Sequence, residues 1–172
     1  RMPGGSSSAD CFWELLRSGG HGVADMPTSG RFGTGSCGML GLYDDDEVGR
    51  PGKTYVRRAA FIADVDMFDA AFFGISAAEA SLMDPQQRIL LEAAIEALET
   101  AGVAPTALNG TETGVFVGCC SSEYGSAVVS ATVGTDVGSP YIGPGTANNA
   151  ISGRTSFVFG LRGPSIAIDT VC

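Results

Sequence analysis

The sequence has 172 residues, of which 44% are hydrophobic and 17% are charged, and its net charge is −9 at pH 7. A chain of this length can bury one core of moderate size, so we expect one domain or part of one. The acidic balance argues against a nucleic-acid or anionic-membrane surface, because phosphate contacts need clustered Lys and Arg. No apolar run approaches the roughly 20 residues of a membrane-spanning helix, so we expect no membrane partner.

The five cysteines are odd in number and show no CxxC or other metal-ligand spacing. We therefore expect free thiols, no metal site and an intracellular, cytoplasmic location. The acidic run at residues 44–47 predicts a solvated loop, since no histidine or second carboxylate cluster accompanies it. The sequence begins with Arg1 and not with Met, so we expect residues to precede it, and organelle targeting cannot be judged from it.

The first predicted helix follows Ser8, a favourable N-cap, and ends at Gly19-Gly20. Residues 19–54 are rich in Gly, Asp and Ser and show no period, which predicts a long irregular loop. Residues 57–74 contain an aromatic-rich run that we expect to be buried. Its members are Phe61, Phe68, Phe72 and Phe73.

Two strong helix starts come next. Ser76 with Glu79 forms a capping box, and Asp84 is followed by Pro85 at the first helical position and by Gln87 at the third. The second helix is amphipathic and should end at a glycine, Gly102. Its predicted apolar face consists of Leu91, Ala94, Ile95 and Leu98.

The last part of the chain alternates strands and helices. Residues 113–118 predict a buried strand, residues 145–160 predict a helix built on small side chains, and residues 165–171 predict a central strand that is apolar on both sides. Interleaved strands and helices indicate an α/β fold.

Cys172 ends the last predicted strand. If a helix follows, its N-terminal N–H groups would lower the thiol pKa and stabilise the oxyanion of a thioester under attack. Taken alone, a cysteine after an apolar strand is more often a buried structural thiol. Other chemistry is poorly supported: His21, the one histidine, lies in a glycine-rich loop, and without another base no Ser/His/Asp arrangement can be assembled.

Two nucleotide-binding motifs are incomplete in this sequence. The glycine that a P-loop would need is replaced by Glu47, five positions before Gly52. The segment at residues 143–145 lacks the third glycine of a dinucleotide fingerprint, so it predicts the entry to a helix.

Several motifs, in order and spacing, resemble the ketosynthase domain of modular (type I) polyketide synthases and the related fatty acid synthases. They span essentially the whole chain, and the most specific are residues 83–88 and 169–172. The motifs are Pro3-Gly-Gly5, Phe12-Trp-Glu-Leu-Leu16, Phe68-Asp-Ala-Ala-Phe-Phe-Gly-Ile-Ser76, Met83-Asp-Pro-Gln-Gln-Arg88, Thr113-Gly-Val-Phe-Val-Gly118, Gly160-Leu-Arg-Gly-Pro-Ser165 and Asp169-Thr-Val-Cys172.

The resemblance implies a thiolase-like fold with α-β-α-β-α layers. Residues 1–172 would be the N-terminal half of the domain, truncated before its first strand and after its nucleophile. Cys172 would accept an acyl chain from the phosphopantetheine arm of acyl carrier protein, with no cofactor bound directly. A malonyl-type unit on a carrier protein would then lose CO2 and attack the thioester, as in polyketide or fatty acid synthesis.

The resemblance also implies partners and further site residues. The family forms homodimers through the strand matching residues 165–171. The segment containing Tyr141 and Ile142 reaches the partner's acyl channel, so both are predicted to bind substrate, although a role in the core alone stays open and is slightly favoured. Asp84 and Arg88 are assigned to structure.

Three departures from the family pattern stand out. Val171 replaces the usual Ala, Cys119-Cys120 replaces apolar or Ser residues, and the sequence ends at Cys172. The family's two catalytic histidines and its lysine lie downstream, so we expect the 172-residue chain alone to be inactive.

Two alternatives stay open: a CoA-dependent relative such as a thiolase, and a non-catalytic dimer scaffold of the chain-length-factor type. The product and the extender unit are also open.

Overall fold

The computed structural model describes residues 2–26, 49, 51, 53–120, 122–126, 128 and 138–171. The chain divides into two compact units, Arg1–Asp66 and Met67–Cys172. Over the described part of the chain, none of the helices has the length and apolar character required to cross a membrane.

The first unit contains helix α1 (Ala9–Arg17), which begins and ends as predicted. The hydroxyl of Ser8 accepts a hydrogen bond from the amide of Cys11 at 3.2 Å. Gly19 adopts a left-handed conformation (φ 68°) and ends the helix. The acidic run at residues 44–47 lies outside the described residues.

Most of the irregular loop expected over residues 19–54 lies outside the described residues, and in the described part the expectation is wrong at one point. Strand β1 (Ala24–Asp25) pairs antiparallel with β2 (Arg58–Ala59). This pairing joins residues more than thirty positions apart, so it could not be predicted from a local period in the sequence.

In the second unit, four helices, one 3-10 turn and two strands are described from end to end. In chain order these are α2 (Ala77–Ala80), α3 (Pro85–Thr100), the 3-10 turn Pro105–Leu108, β3 (Val115–Gly118), α4 (Ile142–Thr146), α5 (Ala150–Phe159) and β4 (Ser165–Ile168). Residues 124–126 are also helical. The predicted alternation of helices and strands is confirmed.

The helix starts at Ser76 and Asp84 are confirmed, since both side chains accept an amide hydrogen bond from the first turn. Gly102 (φ 66°) follows α3 as expected. The single helix predicted over residues 145–160 is wrong. Ala147 has an extended backbone (ψ 130°) and separates α4 from α5.

The core of the second unit forms around α3 and α5. Met83 and Leu91 are 0% exposed and pack with Phe159. Burial of such side chains is the main favourable term in folding. Partly buried residues surround this cluster: Phe68, Phe73, Ile75, Ala94, Ile95, Leu98, Val158 and Leu161.

The apolar face predicted for α3 is therefore confirmed. The expected burial of the phenylalanine run is only partly correct. Phe72 is 62% exposed and meets the ring of Phe73 edge-on, whereas Phe68 stacks on Phe73.

Strands β3 and β4 are parallel neighbours, with Phe116 opposite Ile166 and Gly118 opposite Ile168. Helix α5 packs against both strands. Alternate residues of a strand point to opposite faces. Accordingly, Val117 and Ala167 are half-buried, whereas Phe116, Ile166 and Ile168 are exposed.

Candidate active site

The two parallel strands end at the same edge, and their extensions form a cavity. The amide of Cys119 donates to the carbonyl of Ile168 at 3.0 Å, which continues the pairing beyond β3. A cavity of about 190 Å³ opens here. It is lined by Gly118, Cys119, Cys120, Ile168, Asp169, Thr170 and Val171.

Cys172, the predicted nucleophile, follows this cavity directly in sequence but lies outside the described residues. The strand predicted over residues 165–171 ends earlier, at Ile168. Residues 169–171 instead form a turn in which the amide of Val171 donates to Oδ1 of Asp169 at 3.0 Å.

Val171 has an unusual backbone conformation. Its φ is 61°, and its side chain is 85% exposed. A positive φ is uncommon outside glycine and is a genuine outlier for a β-branched residue. Strained conformations of this kind cluster at functional sites. The residue before the predicted nucleophile thus adopts a costly conformation, in a turn that Asp169 holds through the Val171 amide.

The environment of Cys119 favours the protonated form of its thiol. Burial raises the pKa of the thiol above its ordinary value, and the nearby charge of Asp169 raises it further. The thiol donates a weak hydrogen bond to the carbonyl of Asn148 at 3.7 Å. Because the thiolate is the nucleophilic form, Cys119 is poorly suited to attack an acyl group.

Tyr141 and Ile142, the predicted substrate-binding residues, lie at the start of α4 and are half-buried. The amide of Ile142 donates to the carbonyl of Ser139 at 3.2 Å. The carbonyl of Tyr141 accepts from the amide of Gly145 at 2.9 Å. These contacts fix the backbone of both residues. Their role toward substrate stays a prediction.

A buried network of hydrogen bonds holds the segment after Tyr141 and Ile142. No local signal in the sequence indicated this network. Gln87 was expected to bond back to the start of its own helix. Instead, its Nε2 donates to the carbonyls of Gly145 at 3.0 Å and Pro144 at 3.1 Å, with a longer contact to Ala147 at 3.5 Å. Gln87 is buried, so these bonds are formed away from water.

Arg154 completes this network from α5. Its Nε donates to Oε1 of Gln87 at 2.8 Å, and its Nη1 pairs with Oε1 of Glu79 at 2.5 Å. The side chains of Arg154 and Glu79 are only 11% and 24% exposed. Water therefore screens this ion pair less than a surface pair.

The remaining candidate groups are the one histidine and the free cysteines. His21 is exposed in the first unit. Cys11, Cys119 and Cys120 are free thiols. Within the described residues, no three His, Cys, Asp or Glu side chains are gathered in a way that could hold a metal ion. From the sequence alone, residues 169–172 could be identified as a candidate site. The backbone conformation of Val171 and the hydrogen bonds of Gln87 could not.

The sequence matches a known protein family over its whole length. Residues 1–172 match the family described as "Beta-ketoacyl synthase, N-terminal domain". The chain is 42% identical over 172 residues to the spectinabilin polyketide synthase system protein NorC of Streptomyces orinoci. It is 43% identical to the erythronolide synthase EryA2 of Saccharopolyspora erythraea. The matched region covers all of this chain but only 7% and 4% of those relatives.

The solved structures that resemble this chain are also ketosynthases. The oxazolomycin ketosynthase domain OzmH KS7 from Streptomyces albus JA3453 has a TM-score of 0.80 at 34% identity, over 99% of this chain and 28% of that one. The ketosynthase from module 6 of the bacillaene synthase of Bacillus subtilis 168, in a mutant form, has a TM-score of 0.73 at 30% identity, over 99% and 25%. The predicted thiolase-like α/β fold is confirmed.

Proposed function

The chain belongs to the β-ketoacyl synthase family, and from this premise we propose that it is the N-terminal part of a condensing domain that extends acyl chains on carrier proteins. Cys172 is the acyl-accepting nucleophile. The observation that carries this proposal is the turn at Asp169–Val171, which leads from the end of β4 into Cys172 with Val171 at φ 61°.

In the first step, the Cys172 thiolate attacks the carbonyl of an acyl thioester on the phosphopantetheine arm of acyl carrier protein. The carrier thiol leaves and Cys172 holds the acyl chain. Cysteine suits this step because its thiolate is a strong nucleophile. Cys119 is less suited to this step, because burial and the charge of Asp169 raise the pKa of its thiol.

In the second step, a malonyl-type thioester on a carrier protein loses CO2. The resulting carbanion attacks the Cys172 thioester, a carbon–carbon bond forms, and the Cys172 thiolate is expelled. The product is a β-ketoacyl thioester, two carbons longer in its main chain. By family resemblance, downstream histidines promote decarboxylation, so the 172-residue chain alone lacks condensing activity.

Two further roles belong to the same proposal. Tyr141 and Ile142 contact the acyl chain, and a homodimer forms through residues 165–171, in which the strand Ser165–Ile168 pairs with the same strand of a second copy. The exposed, apolar side chains of Ile166 and Ile168 support this pairing, since dimer interfaces are more apolar than other surfaces. An intracellular, cytoplasmic location fits this chemistry.

The proposal is tested by acylation of the complete ketosynthase that contains this chain. Incubation with acyl carrier protein bearing a hexanoyl group should place the acyl chain on Cys172, as located by mass spectrometry of the digested protein. Cys172→Ser should abolish acylation and condensation, whereas the matched control Cys119→Ser should retain both.

Two outcomes contradict the proposal. Acylation that persists in Cys172→Ser would remove the nucleophile assignment. Transfer from hexanoyl-CoA that is faster than transfer from the carrier protein would favour a CoA-dependent, thiolase-like enzyme. In a separate measurement, β-ketoacyl product formed by the 172-residue chain alone would contradict its proposed inactivity.

A further inference from the structure

Three carbonyl groups, two in the second half of α4 and one just after it, converge on one side chain. Those of Pro144, Gly145 and Ala147 all lie within 3.5 Å of Nε2 of Gln87. A primary amide nitrogen has only two hydrogens, so it holds three carbonyls by sharing them. The side chain of Gln87 therefore holds the second half of α4 and Ala147, which follows it.

The orientation of the Gln87 amide is set from the other side. Its oxygen accepts from Nε of Arg154, a group that can only donate. The amide nitrogen consequently faces the three carbonyls. Arg154 is held in turn by Glu79. This chain of contacts, from Glu79 through Arg154 and Gln87 to residues 144–147, is called the amide clamp below.

Close packing leaves the clamped segment little freedom. A Cβ atom at Gly145 would clash with the carbonyl group of Leu82. Asn148, the residue after this segment, accepts a hydrogen bond from the thiol of Cys119, which follows β3. The clamp thus connects α4, which carries Tyr141 and Ile142, to the edge where the parallel strands end.

We infer that Glu79, Arg154 and Gln87 are positioning residues that set acyl-chain selectivity by fixing α4 and with it Ile142. They touch no substrate themselves. This inference rests on the proposed function of Cys172 and Ile142. Loss of the clamp would let α4 shift and change the space that Ile142 leaves for the acyl chain.

The test compares Gln87→Met with Gln86→Met in the complete ketosynthase. Both remove one amide from α3, but Gln86 is exposed, and its Nε2 contacts Oδ2 of Asp84, two residues away, at 3.5 Å. The main readout is the ratio of Cys172 acylation rates with decanoyl and propionyl thioesters of N-acetylcysteamine. The second readout is alkylation of Cys172 by iodoacetamide, a small reagent that does not report on acyl-chain fit.

Gln87→Met should change the decanoyl-to-propionyl ratio by about tenfold, the scale of a small misfit in an apolar pocket. Alkylation should stay within about twofold of the parent, and Gln86→Met should change neither. If Gln87→Met does not fold, Arg154→Lys carries the test. It keeps the charge beside Glu79 and removes the Nε donor to Gln87, so the ratio should change in the same direction.

The outcomes separate this inference from the proposed function. If Ile142→Ala changes the ratio but Gln87→Met and Arg154→Lys do not, the clamp inference is wrong and the proposed function stands. If acylation and alkylation fall together, the clamp only supports folding and the inference is wrong. If Ile142→Ala leaves the ratio unchanged, the role of Ile142 and the inference both fail. No acylation of Cys172 in the parent protein would overturn the proposed function itself.

Discussion

The backbone amide of Asp84 donates a hydrogen bond of 2.8 Å to the carbonyl of Gly145, and this contact joins the start of α3 to α4. The same carbonyl accepts from Nε2 of Gln87 at 3.0 Å. Asp84 also caps α3 through its side chain, which accepts from the amide of Gln86 at 2.8 Å. The first turn of α3 is thus a fixed point for both the helix and the segment that follows Ile142.

Substitution of Gly145 by Ala should destabilise the fold. The new Cβ would clash with the backbone of Leu82, which cannot move as a flexible side chain could. We expect the free energy of unfolding to fall by about 1–3 kcal/mol, as for other overpacked sites. Urea denaturation followed by circular dichroism measures this change.

Gly143→Ala is the matched control for Gly145→Ala. Both glycines belong to α4, but a Cβ at Gly143 would meet no atom within 4 Å. Its stability should be unchanged or slightly raised, because Ala is favoured over Gly in helices by roughly 0.5–1 kcal/mol. Equal losses in the two variants would contradict the close approach of Gly145 to Leu82.

Truncation of Leu91 should also be costly. This side chain is 0% exposed in the core of the second unit, so Leu91→Ala should lower the free energy of unfolding by about 2–5 kcal/mol. The same substitution at the exposed Leu16 of α1 should cost far less. A small effect at Leu91 in the urea experiment would mean that the core around α3 is not packed as described.

The reactivity of Cys119 should depend on Asp169. Burial and the Asp169 charge raise the pKa of this thiol above its ordinary value, so less thiolate is present at pH 8 than for an ordinary thiol, and alkylation is slower. Alkylation should accelerate as the pH rises toward the raised pKa. Asp169→Asn removes one of the two main causes, lowers the pKa and should speed the reaction at pH 8.

Rates for Cys119 can be read by mass spectrometry of peptides after iodoacetamide treatment between roughly pH 7 and 10, a range that brackets the ordinary thiol pKa. Asp169→Asn retains an oxygen that can accept from the amide of Val171, so the turn should survive. The control is Asp25→Asn, a change in the first unit at an exposed carboxylate. If both variants react at the parent rate, the charge of Asp169 does not act on this thiol.

Local signals in the sequence predicted the starts of three helices correctly. Ser8, Ser76 and Asp84 cap their helices through bonds that span two or three residues. Such bonds need no tertiary structure, so residue type and spacing suffice to predict them. The apolar face of α3 was predictable for the same reason, since a helical period places its residues together.

Contacts between distant residues were not predictable in this way. Gln87 looked like the third position of a capping box, yet its amide bonds to Gly145, 58 residues later. The choice between these partners depends on the fold around the helix. The short pairing of β1 with β2 and the break at Ala147 have the same origin.

The candidate site contains one feature that could be predicted from the sequence and one that could not. The motif ending in Cys172 was recognisable from sequence, whereas the positive φ of Val171 was not, because β-branched residues favour strands. The strand expected over residues 165–171 therefore ends early, at Ile168. The roles of Cys172, Tyr141 and Ile142 toward substrate stay predictions.

The outer face of the β3–β4 pair affects how the chain can be handled on its own. Phe116, 63% exposed, lies beside Ile166, and Ile168 continues the same apolar surface. Exposed apolar strands readily associate with other chains. Expression of the 172-residue chain by itself should accordingly favour inclusion bodies, and refolding should succeed best at low protein concentration, where aggregation is slow.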